Sequence, residues 1–261
     1  MPSEPANAAV PLVELDGVTA ALPEADEAPE VKGVNWSIEP GQFWAVGGLP
    51  TAGQSCLLPT AAGLLKPMAG SVRLFGRPVA ADADETELLE TRRRIGLVFP
   101  HGGRLFRDQT VLGNISVPLR YHLDLSPDEA EARAESLADL LGLKPWLHRF
   151  AVNLPLVWQQ RTALARALAL RPEVLFLDRP LSALDLSHRG WWLEFLAEVA
   201  AGLDGLPPVT VVVGGDSMKP WLGVASRFAR LNEGLWETVA DPEAGDQDSR
   251  DVTRHFTRTK S

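Results

Sequence analysis

The sequence predicts an α/β protein: a parallel core sheet flanked by helices, interrupted by a helical insert near residues 102–170. Three observations carry this. Val174–Leu177 and Val209–Val213 are continuous apolar runs, the pattern of parallel strands buried on both faces. Gln42–Val46 reads as a short apolar strand running into the glycine-containing loop Gly47–Gly53, with a helical pattern from Ser55 to Leu65 beyond it. Ser126-Pro127-Asp128-Glu129 is a capping box with proline at the first helical position, and it opens a helix to about Leu141.

The remaining elements follow in chain order. Residues 1–10 are polar and rich in Pro and Ala, a loose arm. Leu12–Leu15 and Asn35–Ile38 read as strands, separated by the acidic stretch Glu24–Glu30, a solvated loop. Pro59 falls inside the first helix and removes one backbone bond. Ser71–Phe75 and Ile95–Phe99 are further strands. Gln159–Leu170 is a second helix of the insert, because Ala163 and Ala167, like Leu164 and Leu168, recur at helical spacing. Leu193–Val199 is helical, and residues 241–261 form a polar tail with room for one short helix. Residues 11–240 are expected to make one domain.

Composition narrows the function. With 25 Lys and Arg against 34 Asp and Glu, the net charge is −9; no global basic field gathers nucleic acid, and no nucleic-acid partner is expected. The single cysteine, Cys56, rules out an internal disulfide and suits a reducing cytoplasm. The start MPSEPANAAVPLVEL lacks the basic and apolar regions of a secretory signal. Apolar runs are far too short to span a bilayer, so direct membrane insertion is not expected. The five histidines show no metal-ligand spacing.

A strand, a glycine loop and a helix form the geometry of a phosphate cradle, in which backbone N–H groups and the positive helix end face an anion. Gly48-Leu49-Pro50-Thr51-Ala52-Gly53-Gln54-Ser55-Cys56 fits the phosphate-loop pattern except at its lysine and last hydroxyl. Gln54 keeps a donor but not the charge, a loss worth roughly 10- to 150-fold in nucleotide binding. Pro50 also withholds a backbone donor. Read alone, the loop is equally a ligand-free strand–helix turn of an α/β protein.

The loop is not alone. From about residue 12 to 240 the chain resembles the ABC ATP-binding cassette family, with segments in that family's order. Gly63-Leu64-Leu65-Lys66-Pro67 and Gly70–Gly76 resemble the stretch after the phosphate loop. Ile95–Phe99, Leu105-Phe106 and Thr110–Ile115 resemble the Q-loop region, and Gln159-Gln160-Arg161 with Ala163–Leu168 the helix after the signature motif. Leu175–Asp178, Pro180 and Ser182–Asp185 resemble Walker B and the D-loop. The resemblance implies a P-loop NTPase-type cassette with a parallel core sheet, an antiparallel edge sheet and a helical subdomain at about 102–170. His101–Phe106 and the polar tail also resemble the cassettes of MCE-linked lipid transporters.

Departures from the family fall on its chemistry. Where the signature is expected stand Leu154-Pro155-Leu156-Val157-Trp158, bulky where small residues clamp a γ-phosphate across a dimer. Pro100, or His101 if the register slips by one, holds the Q-loop glutamine position. Arg179 replaces the glutamate that polarises the attacking water; it either grips a phosphate or pairs with Asp178. Gly215 holds the switch-histidine position, and the adenine-stacking aromatic expected near Ala20 or Ala21 is missing. General-base removal costs roughly 10²–10⁴-fold, and these losses do not simply multiply, because such residues act as a unit.

By resemblance, then, the expected protein is a pseudo-ATPase subunit that scaffolds or regulates a membrane transport complex, with lipid as a candidate cargo. The rival expectation is an ATPase working with unusual residues. ATP and Mg²⁺ are expected to bind weakly if at all, with Ser55 and Asp178 the metal ligands in that case. Partners implied are an integral-membrane permease and a second cassette chain, identical or not, at the inner face of the membrane. Because cassettes pair head to tail, a chain that has lost both phosphate loop and signature completes a catalytic site with no partner. Trp44, Trp158, Trp191, Trp192 and Trp221 are assigned either to the dimer and nucleotide face or to core packing.

Overall fold

In a computed structural model, residues 10–22, 30–48, 53–79, 85–203 and 205–240 are described. The arm, most of the acidic stretch, Pro50 with its loop neighbours and the polar tail lie outside them. The strands are β1 (Val13–Ala20), β2 (Val31–Ile38), β3 (Phe43–Gly48), β4 (Ala69–Leu74), β5 (Arg77–Pro78), β6 (Ile95–Val98), β7 (Val174–Asp178), β8 (Thr210–Gly215), β9 (Arg227–Asn232) and β10 (Leu235–Val239). Helices are α1 (Gln54–Ala61), α2 (Glu85–Arg93), α3 (Val111–Leu123), α4 (Pro127–Leu140), α5 (Leu156–Leu168) and α6 (Leu186–Ala201).

One sheet runs in the order β5-β4-β1-β2-β10-β9-β3-β8-β7-β6. Strands β9, β3, β8, β7 and β6 are mutually parallel, whereas β2, β1, β4 and β5 form an antiparallel edge. The continuous apolar runs have the cause inferred for them, since successive residues feed opposite layers. Leu175, Leu177, Val211 and Val213 join Phe43 and Ala45 beneath α3 to α6. Their neighbours Val174, Phe176 and Val212 join Trp44 and Val46 against α1 and the antiparallel edge.

Several elements differ from the sequence reading. Helix α1 stops at Ala61 rather than Leu65, because Gly63 turns the chain with φ +69° and Leu64 N–H bonds back to Pro59 O at 2.9 Å. Helix α5 starts three residues early, which puts Leu156, Val157 and Trp158 in its first turn. Helix α6 begins at Leu186 instead of Leu193, where Asp185 caps it by accepting from His188 N–H at 2.9 Å. Helices α2 and α3 and strands β5, β9 and β10 were not anticipated. In α3, Gly113 and Pro118 argue against a helix locally; packing of Val111, Leu112, Ile115 and Leu119 into the core wins.

The tryptophans divide. Trp44, Trp192 and Trp221 are buried core residues: Trp44 packs edge-on to Trp36, and Trp221 against Phe43. Trp158 and Trp191 are only partly buried. Between them lies the buried Arg161 guanidinium, 4.9 Å from the Trp158 ring and 3.5 Å from that of Trp191. This cation has no carboxylate partner among the described residues, and burial pushes it down to about 10. The indole faces and the Leu141 carbonyl, at 3.2 Å, hold it instead.

Candidate functional site

The site forms where β3, β7 and β8 end side by side. Gly47 pairs with Gly215, and Asp178 with Gly214, so the three strand ends are in register. Gly53 starts α1 with φ +97°, a conformation that favours glycine, and its carbonyl accepts from Cys56 and Leu57 N–H.

Gln54 is 2% exposed and points into the protein. Its amide nitrogen donates to the carbonyls of Gly215 at 2.8 Å and of Val46 and Gly48 at 3.3 Å. The residue that was to meet phosphate instead ties β3 to β8. Cys56 is buried, and its thiol donates to Gly53 O at 2.9 Å and Ala20 O at 3.4 Å; burial pushes it up to about 11. It is an uncharged packing group, not a nucleotide ligand.

Ser55 and Asp178, from different elements, do meet. Asp178 is 3% exposed, and its Oδ1 has no hydrogen-bond partner. Burial raises its carboxyl above the usual range; a hydrogen bond from Ser55 and the charges of Arg179 and His101 oppose this, and Asp216 adds to it. Arg179 lies just beyond β7 in the left-handed region, φ +53°. Its Nε stands 3.3 Å from Asp216 Oδ1, so the ion partner is Asp216 and not the expected Asp178.

Pro100 follows β6 by two residues and begins a short turn in which His101 has φ +58°. Of these two side chains, His101 is the one that acts electrostatically on Asp178. At Gly102 (φ +64°), a Cβ would come within 2.8 Å of the Gln159 and Gln160 backbone, so this loop lies directly on the start of α5. The turn of Leu156, Val157 and Trp158 is therefore fixed from within: Trp158 also packs on Trp146 at 5.7 Å and edge-on to His188 at 6.3 Å. Pro155 caps α5 without a side-chain bond. Sequence reasoning missed the roles of Asp216 and of Asn114, whose buried side chain binds Phe106, Gln109 and Thr110 backbone and anchors the loop before α3. A buried asparagine inside an apolar helix was the available signal.

The family model described as ABC transporter matches residues 31–182. The chain belongs to that family. This cassette is 36% identical over 209 residues to the methionine import ATP-binding protein of Ligilactobacillus salivarius, covering 78% of this chain and 58% of that protein. The methionine import ATP-binding protein of Brucella abortus is 31% identical over 248 residues, covering 92% of this chain and 64% of the other. The cassette thus spans about 60% of the length of these relatives. Among solved structures, the dimeric post-hydrolysis state of the cassette MJ0796 with ADP and Pi is similar, with TM-score 0.75, 29% identity and coverage of 88% and 99% of the two chains. Among the described residues, no helix is long and apolar enough to cross a membrane.

The family implies Mg²⁺ and ATP, and this cassette fits them unequally. Exposed Ser55 beside buried Asp178, with one carboxylate oxygen unsatisfied, suits a hard cation. The phosphate-binding part does not fit. Gln54 spends its donors on strand carbonyls, and the residues that the resemblance sets at the signature position, Leu156, Val157 and Trp158, are bulky.

Proposed function

We propose that the cassette is a pseudo-ATPase subunit that scaffolds or regulates a membrane transport complex. One observation carries this: the position after Asp178 holds Arg179, a permanent cation in an ion pair with Asp216, where water activation needs a proton acceptor. Gln54, turned to Gly215, gives no charge to stabilise a leaving phosphate. Head-to-tail pairing with a second cassette, which the family resemblance implies, brings no remedy, because the signature turn is altered in the same chain. Its partners in this proposal are an integral-membrane permease and a second cassette chain, identical or not, and its place is the inner face of the membrane.

Two cargo classes remain on the table. The names of the relatives speak for import of a small polar solute such as methionine, and the His101–Phe106 stretch speaks for lipid. The longer matched region favours the first.

The rival, an ATPase with unusual residues, draws on the intact Ser55–Asp178 pair and on Asp216, whose carboxylate is more than half exposed beside it. Isolation from native membranes with and without Mg-ATP separates the two. A scaffold subunit stays with its permease in both conditions, with no phosphate released; nucleotide-driven release of the cassette together with phosphate would overturn the proposal.

A further inference from the structure

Beside the altered site, between the turn after β7 and the turn after β8, lies an open pocket of about 380 Å³. Arg179, Ser182, Arg189, Asp216, Pro220 and Trp221 are among the residues that line it. The described residues of the phosphate-loop region, Gly48 and Gly53 to Cys56, do not. Its volume lies within the range of small-ligand sites.

The lining holds donors whose hydrogen-bonding capacity is not filled. Arg179 Nε is buried without a hydrogen bond, although Asp216 Oδ1 stands 3.3 Å away. Ser182 Oγ is likewise buried and unbonded. The exposed Arg189 guanidinium has no carboxylate within 4 Å among the described residues. Two guanidiniums against one carboxylate leave the lining with a net positive charge. Buried donors left unpaired are costly and rare in folded proteins. The loop that presents them is held in place: Arg179 and Ala183 are both left-handed, at φ +53° and +58°. Arg179 N–H bonds to Gly214 O at 2.9 Å, and Ser182 N–H to Arg179 O at 3.1 Å.

We propose that this pocket binds a phosphate group on Arg189, Arg179 and Ser182. Donors from a loop and a helix, approaching as separate groups, suit an oxyanion with more than two acceptor oxygens. The space exceeds a bare phosphate ion, so a phosphate monoester fits, with its organic part against Pro220 and Trp221. The pocket shares Arg179, Asp216 and Gly215 with the altered site but not Ser55 or Gln54, so the proposal rests in part on the reading of Arg179 given above.

The test is calorimetric titration of the full chain with sodium phosphate, with sodium chloride of equal ionic strength as control. Saturable one-to-one binding of phosphate and none of chloride is expected. Arg189→Ala, an exposed position that leaves the fold intact, should weaken it tenfold or more. Asp216→Asn should tighten it severalfold by freeing Arg179, an opposite sign that general destabilisation does not produce. Magnesium-free ATP distinguishes the source: competition with phosphate that is lost in Arg189→Ala marks a nucleotide phosphate, and absence of competition marks a free phosphate or monoester. Absence of saturable phosphate binding, or equal affinity in Arg189→Ala, overturns the proposal.

Discussion

The side-chain amide of Gln54 donates to the carbonyl of Gly215 at 2.8 Å, a bond between the two residues that the resemblance aligns with the family's lysine and switch histidine. The Gln54 amide thus makes one structural contact joining β3, α1 and β8. Gln54→Ala removes it together with the weaker bonds to Val46 and Gly48, and strands buried acceptors. A loss of about 1–3 kcal/mol in stability is expected from denaturant unfolding. Gln54→Lys should strengthen binding of a fluorescent ATP analogue by less than the roughly 150-fold upper value of a full charge-assisted bond, because carbonyls compete for the ammonium. Submicromolar affinity in the unmodified protein would show a phosphate site unlike the one described.

Cys56 gives a pH signature. Its thiol is raised from an ordinary 9.0 to about 11 by burial. The stability from keeping it protonated is full below pH 9 and is lost as pH rises through 11, because the unfolded chain releases the proton first. Two units correspond to on the order of 2–3 kcal/mol. Between pH 8 and 11, the wild type should lose stability more steeply than Cys56→Ala by about that amount. The same shift predicts slow alkylation of the native thiol at pH 8. Parallel pH–stability curves for the two proteins, or rapid labelling, would contradict this.

Much of the scaffold was legible in the sequence. The core strands β3, β7 and β8 follow from apolar runs feeding two layers, and the capping box at Ser126 and Glu129 marks the start of α4. Strands β9 and β10 escaped because their burial alternates weakly, although the left-handed Glu233-Gly234 pair between them is a hairpin-turn signal. Helix α3 was hidden by Gly113 and Pro118, whose local cost is offset only by tertiary contacts. At the site, the motif gave positions but not orientation. That Gln54 turns inward depends on a strand 161 residues away, and that Arg179 chooses Asp216 over the adjacent Asp178 depends on a left-handed backbone at residue 179.

Trp158 faces its own chain, between Trp146, His188 and Arg161, while Leu156 and Val157 stay partly exposed beside it. Association through this face is expected to rest on apolar contact, at roughly 25 cal/mol per Å² before the costs of association, and to be independent of Mg-ATP. Sedimentation should give the same assembly state with and without nucleotide. Leu156→Asp should weaken assembly at unchanged melting temperature, while Trp158→Ser should lower both. Dimerisation only on addition of Mg-ATP would show that the composite site still works.

Trp191 stacks on Phe195 with ring centres 4.7 Å apart and covers the Arg161 cation. Trp191→Ala should therefore cost more than its partly exposed surface suggests, about 3–5 kcal/mol. Adding Arg161→Met to that variant should recover part of the loss, since the uncovered cation is removed. Additive losses in a double-mutant cycle would show that the two side chains are not coupled.

The proposed absence of hydrolysis is tested most directly by phosphate release from Mg-ATP, comparing the unmodified protein with Asp178→Ala, which lacks the carboxylate proposed to hold Mg²⁺. With Arg179 in the glutamate position and Gln54 turned to Gly215, the two rates are expected to be equal and at background, alone and with the native permease present. Turnover at the rate of an ordinary cassette that disappears in Asp178→Ala would contradict the account.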